Sequence, residues 1–201
     1  MTSLDDRVRA FVAGGGRILG IAGPPGAGKS TLAERIVEAW GPTAQLLPMD
    51  GFHLANDELE RLGRAARKGA PDTFDVEGYL SALRRVRARE TDILVPRFNR
   101  DIEEPVAGAI RIAVTAEIVV TEGNYLLLDD GPWRTVRSLL DACWWADVPD
   151  DVRVERLVAR HVHHGRSPAT ARAWVDTVDE PNARLVATHR SRPPDVHIPT
   201  G

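Results

Sequence analysis

Residues 23–30 read Gly-Pro-Pro-Gly-Ala-Gly-Lys-Ser, and Thr31 follows, so G-x-x-x-x-G-K-[ST] is met at every fixed position. An apolar run, Arg17 to Ala22, precedes it. The stretch from Lys29 to about Trp40 follows, with Leu32, Ile36 and Trp40 recurring every four residues before Gly41-Pro42. This predicts a buried strand that breaks into a glycine-rich turn and opens a helix, a geometry that aims backbone N–H groups and a helix N-terminus at one phosphate. Gly23, Pro24, Pro25, Gly26, Ala27, Gly28, Lys29, Ser30 and Thr31 are therefore expected to hold a nucleoside triphosphate. Lys29 supplies charge to the β- and γ-phosphates, and the Ser30 hydroxyl is a ligand for Mg²⁺. An ordinary Gly-Pro turn ahead of a helix is the rival reading, and the specificity of the motif weighs against it.

The rest of the chain suits that core. Its 201 residues, 43% of them apolar, fit one α/β domain over residues 1–201. Leu4, Val8, Phe11 and Val12 predict a first helix behind Thr2 and Ser3. Gln45–Met49, Ile118–Thr121, Ala142–Val148 and Asp195–Ile198 read as short strands. Asp75 is a plausible N-cap for a helix carrying Tyr79, Leu80, Leu83 and Val86, and two helices are expected over 151–163 and 168–188. Ile93–Val95 and Ala109–Val114 flank a polar excursion that suits a hairpin flap. Strands alternating with helices predict a parallel sheet covered on both faces.

Two acids then stand out. Asp50 follows Leu46-Leu47-Pro48-Met49, and Glu122 follows Ile118-Val119-Val120-Thr121. Open α/β sheets bind ligands beyond the carboxyl ends of their strands, which places both acids beside the phosphate loop. Glu122 is expected to hold Mg²⁺ and Asp50 to take a proton from an attacking hydroxyl, although the two roles could be exchanged.

Charge and composition exclude other classes. Lys and Arg number 26 against 29 Asp and Glu, a net −3, and only 5% of residues are aromatic. That argues against nucleic acid and anionic membrane as partners. A single cysteine, Cys143, forms no internal disulfide and reads as a small buried hydrophobe. With no secretory-type N-terminus and no apolar run approaching ~18–20 residues, a cytoplasmic protein is expected. Arg61, Arg64, Arg67 and Lys68 form either a basic gate for an anionic acceptor or a solvated face, the latter favoured, as for Arg84 to Arg89. His161, His163 and His164 do not share one helix face, so solvent exposure is favoured over a metal site. Trp144 and Trp145 point to opposite faces of a strand.

The sequence resembles the P-loop kinase family that contains uridine kinase, phosphoribulokinase and bacterial-type pantothenate kinase, especially its small bacterial members labelled nucleoside/nucleotide-kinase-like or fructose-transport kinases. The resemblance rests on GPPGAGKS at 23–30, DGFH at 50–53, GAPDTFD at 69–75, PRFN at 96–99, TEGNYLLL at 121–128 and the R-x-x-x-R…GR run at 156–166. It implies a three-layer sandwich around a five-stranded parallel sheet, an acceptor-side insertion over about 51–114 with a small β flap, and a helical lid over about 156–170. It further implies Asp50 as base, with His53, Asp75, Arg97, Arg100, Glu122 and Tyr125 on the acceptor side. Arg156, Arg160 and Arg166 match the family's lid arginines, Arg160 and Arg166 acting in catalysis and Arg156 on the nucleotide. Asn99 stands where uridine kinases carry an acid, and His161 and His164 replace an Asp and an Arg.

The expectation is an ATP- and Mg²⁺-dependent kinase acting on a hydroxyl of a small metabolite such as a nucleoside, sugar or pantothenate-like compound. A nucleotide-binding regulatory module of a sugar-uptake system and a P-loop hydrolase are the alternatives. Oligomeric state stays open, a homodimer included.

Overall fold

Residues 2–201 are described by a computed structural model. α1 (Leu4–Ala13) is capped by Ser3, whose side chain accepts from the Asp6 amide. β1 (Ile18–Ala22) is buried along its whole length and leads through the glycine-rich turn into α2 (Lys29–Trp40). β2 (Ala44–Pro48), a single helical turn at Met49–Phe52, and the short α3 (Asn56–Arg61) come next. α4 (Val76–Arg87) begins at Asp75, whose carboxylate accepts from the Gly78 amide.

The flap pairs β3 (Ile93–Asn99) antiparallel with β4 (Glu104–Ile112) and slips register between Val95 and Arg97. Both strands run further than the apolar residues alone predicted, because pairing in a solvated hairpin needs no continuous apolar run. β5 (Ile118–Gly123), β6 (Ala142–Asp147), α5 (Asp150–His163), α6 (Pro168–Trp174), α7 (Glu180–Thr188) and β7 (Val196–Pro199) complete the chain. Residues 168–188 are not the uniform helix expected, since a π turn at Val175–Asp179 interrupts them.

The main sheet runs β2-β5-β1-β6-β7 with all neighbours parallel. Leu19, Ile21, Val120, Trp144 and Ile198 pack with Leu32 and Ile36 of α2 on one face. Ile18, Val119, Cys143 and Trp145 pack on the other with Tyr79, Leu80 and Leu83 of α4 and Val186 of α7. The period of two thus divides neighbouring tryptophans between two cores and makes three layers. Burial pushes the Cys143 thiol up to about 12, leaving it inert at neutral pH. Among the described residues, no helix is long and apolar enough to cross a membrane.

Candidate active site

The central strand fixes the phosphate loop. β1 ends at Ala22 and α2 starts at Lys29, so the turn between them lies at the carboxyl edge of the sheet. Gly26 has φ +79°, and a Cβ there would stand 2.7 Å from the Arg153 carbonyl oxygen, so glycine is required both by conformation and by space. Arg153, buried in α5, donates to the Pro25 carbonyl at 3.4 Å and pairs with Asp150 and Glu180, bracing the loop from behind. The Lys29 ammonium donates to the Pro24 carbonyl at 2.9 Å. Burial lowers its pKa to about 8, against the opposing pull of Glu122 and Asp50.

β5 lies between β2 and β1, so the two acids come from adjacent strands. Glu122 is buried near Ser30; burial, and then the neighbouring Asp50 charge, raise its pKa to about 7, against the opposing pull of Lys29 and Ser30. Asp50 is more open and accepts from Arg100 Nη2 at 2.8 Å. Burial pushes Asp50 up, but His53, Arg100, Lys29 and Arg160 together hold it below the ordinary carboxylate value. His53 lies against Phe74 and Phe98, with ring centroids 4.0 and 4.8 Å away, and burial lowers its pKa. The neutral ring donates from Nδ1 to the Asp50 carbonyl at 2.7 Å, leaving Nε2 as an acceptor.

These groups line one cavity of about 620 Å³. Pro25, Gly26, Lys29 and Ser30 form one end, Lys68, Phe98 and Arg100 the flap side, and Arg160, His161, His164, Arg166 and Trp174 the lid side. A second cavity of about 600 Å³ lies past the loop, bounded by Gly28, Thr31, Arg35, Arg156 and the residues from His197 to Gly201. Among the described residues no cluster of three or more His, Cys, Asp or Glu side chains forms a metal cage. Magnesium fits instead at Ser30 and Glu122, since it takes few protein oxygens, and a buried carboxylate lacking full compensation favours a cation.

No family model matches the chain. YggC of Escherichia coli is 38% identical over 173 residues, covering 83% of this chain and 70% of that one. A "Putative uridine kinase" of Schizosaccharomyces pombe is 34% identical over 158 residues, 74% of this chain and 67% of the relative. The crystal structure of the "putative fructose transport system kinase" of a Silicibacter species superposes with a TM-score of 0.84 at 36% identity, covering 92% and 90% of the two chains. The chain belongs to the P-loop kinases. It is a small-molecule phosphotransferase with a nucleotide-binding loop, and membership implies ATP.

In this P-loop kinase the expected site residues separate into three groups. Lys29, Ser30, Asp50, His53, Arg100, Glu122, Arg160 and Arg166 share the large cavity. Arg156 does not: its Nη1 donates to the Thr200 carbonyl at 3.0 Å and borders the second cavity, so the lid arginines serve two places. Asp75, Arg97 and Tyr125 do not line the large cavity, and the acceptor-side expectation for them is corrected. Asp75 caps α4, Phe98 rather than its strand neighbour Arg97 lines the cavity, and Tyr125 is fully buried with its hydroxyl donating to the Gly69 carbonyl.

Two surface readings change as well. Lys68 lines the cavity, bonded to Asn56 and the Glu103 carbonyl, whereas Arg61 pairs with Glu58, and Arg64 and Arg67 with Asp72. His161 is not a solvent-exposed lid residue: its ring is 16% exposed and bonded to Asp179. Asn124 entered the sequence reading only within the 121–128 motif, and Trp174, Asp179 and Asn182 escaped it altogether. For Asp179 and Asn182 a signal existed, since both occupy positions on the buried stripe of their helix.

The electrostatics of Glu122 give a pH prediction. Its folded pKa, about 7, lies above the ordinary 4.5, so its contribution to stability is full below about pH 4.5 and is lost as pH rises through 7. Without nucleotide and with chelator present, the Glu122 contribution is expected to fall by roughly 2–3 kcal/mol across that window, against an opposing gain from His53, whose lowered pKa makes stability rise with pH. Glu122→Gln should flatten the decline. Urea unfolding at about pH 5 and about pH 8 measures both proteins, and an equal decline in the two would remove Glu122 as its source.

Proposed function

We propose that this kinase transfers the γ-phosphate of ATP to a hydroxyl group of a small metabolite, with Asp50 as general base. One observation carries the reading: an ionised Asp50 shares a cavity with the phosphate loop and is paired on the acceptor side with Arg100, whereas Glu122 is buried on the Ser30 side of the same cavity. That asymmetry favours Asp50 for the proton and Glu122 for the metal. Lys29, Arg160 and Arg166 stabilise the charge that spreads over the transferring phosphoryl oxygens. Mg²⁺, held by Ser30 and Glu122, would neutralise part of the phosphate charge.

The second cavity suits the nucleoside end of ATP, because it opens from Gly28 and Thr31 on the loop and Arg156 supplies a planar cation beside it. His197 to Gly201 border that cavity, whereas the Arg190 guanidinium lies 4.5 Å over the Trp145 ring. Acceptor chemistry decides between transfer and mere nucleotide binding or hydrolysis. With Mg·ATP, at least one compound in a panel of sugars, nucleosides and pantothenate is expected to raise ADP release and to gain one phosphoryl group by mass. ADP release indifferent to every acceptor would instead identify a hydrolase, and tight ATP binding with no turnover a regulatory module.

A further inference from the structure

Beyond the lid, Val175, Val178, Asp179, Asn182, Ala183 and Val186 form one buried stripe across the π turn and α7. A carboxylate and a carboxamide thus hold places suited to core residues. Each is only 8% exposed, and polar groups that deep are costly unless something bonds them. Asp179 Oδ2 accepts from His161 Nε2 at 2.9 Å, while its Oδ1 has no partner among the described residues. Asn182 Nδ2 reaches the Gly69 carbonyl only at 3.5 Å, and the Asn182 side-chain carbonyl likewise has no partner among them. Neither oxygen is sealed off, and both residues line the cavity that contains Asp50. π turns gather at functional sites, and this one ends at Asp179.

We propose that Asp179 and Asn182 hold the acceptor, and that the acceptor is a carbohydrate with two adjacent hydroxyls, either a free sugar or the ribose of a nucleoside. This rests on the kinase reading above and adds to it the acceptor's class. Side chains three residues apart share a helix face, so the carboxylate accepts from one hydroxyl while the carboxamide accepts from and donates to its neighbour. His161 is a positioning residue that fixes the carboxylate. Asp75 is unavailable for this task because it caps α4.

The test uses D-fructose, uridine, 2′-deoxyuridine and pantothenate, which separate free sugar, ribose, a sugar lacking the diol, and a compound without adjacent hydroxyls. ADP release is expected with fructose or uridine. Asp179→Asn or Asn182→Leu should raise the KM of that acceptor about 10- to 100-fold with the KM of ATP within about twofold. Should uridine be the acceptor, the wild type should also prefer it to 2′-deoxyuridine by a similar factor, and Asn182→Leu should erase the preference, which a merely structural role would not do. Asn182→Leu, close in volume, serves if Asp179→Asn does not fold, with circular dichroism as the check. Unchanged KM in folded variants, or pantothenate as the sole acceptor, overturns the proposal and leaves the kinase reading standing. If no compound raises ADP release, the transfer reading fails and the diol site is judged by the part of the tryptophan fluorescence change that Trp174→Phe abolishes. A change with fructose or uridine that is lost in Asn182→Leu supports it, and no change in the wild type overturns it.

Discussion

Asp50→Asn is expected to lower kcat by about 10²- to 10⁴-fold, the range for losing a positioned general base. The substitution keeps the side chain's size and an oxygen for Arg100, which bonds Asp50 at 2.8 Å, so the flap contact survives while the proton acceptor is lost. ATP affinity should hold or rise slightly, because removing a negative charge near Lys29 relieves repulsion of the phosphates. Acceptor-dependent ADP release measures turnover, and a fluorescent ATP analogue measures binding. Turnover near the wild-type value would remove Asp50 as base and hand the proton to Glu122 or to the acceptor's own phosphate target.

A comparably large effect on stability is expected from Trp133→Ala. Trp133 lies between β5 and β6 in sequence, is buried to 3% exposure, and packs its ring 5.2 to 6.2 Å from those of Phe74, Tyr79 and Tyr125. Its indole N–H donates to the Pro71 carbonyl at 3.1 Å. Truncation leaves a cavity and an unpaired acceptor, together costing about 3–5 kcal/mol. For a chain of this size that corresponds to a fall in Tm of roughly 10 °C by thermal unfolding. Acceptor KM should rise as well, since Phe74 forms part of the cavity wall. Trp133→Phe should recover most of the stability, and a Trp133→Ala protein melting with the wild type would show that this cluster is not the support for the acceptor wall.

Both substitutions lie on features of very different legibility. Asp50 could be read from the chain because a strand's apolar run and the acid that ends it are adjacent in sequence, and open α/β sheets bind at that edge. The phosphate loop was legible for the same reason: strand, glycines, Lys29, Ser30 and helix are contiguous. Trp133 carried no such mark. Its partners lie at positions 74, 79 and 125, and only the packing of α4 against the sheet brings them together.

The amino-acid sequence by itself determined the elements of the sheet, the loop at residues 23–31, the pairing of Asp50 with Glu122 beyond two strand ends, and a family likeness broad enough to imply a kinase. Each depends on local periodicity, on turn chemistry, or on residues close along the chain. Tertiary structure decided which side chains enter the cavity. It kept Tyr125 in the interior, sent Arg156 to the second cavity, and turned His161 inward to Asp179. Motif spacing could not foresee these outcomes, because they depend on pleat and helix phase, the register slip in the flap, and the extra residue of a π turn. A change of one residue in any of them rotates a side chain from cavity to core or solvent.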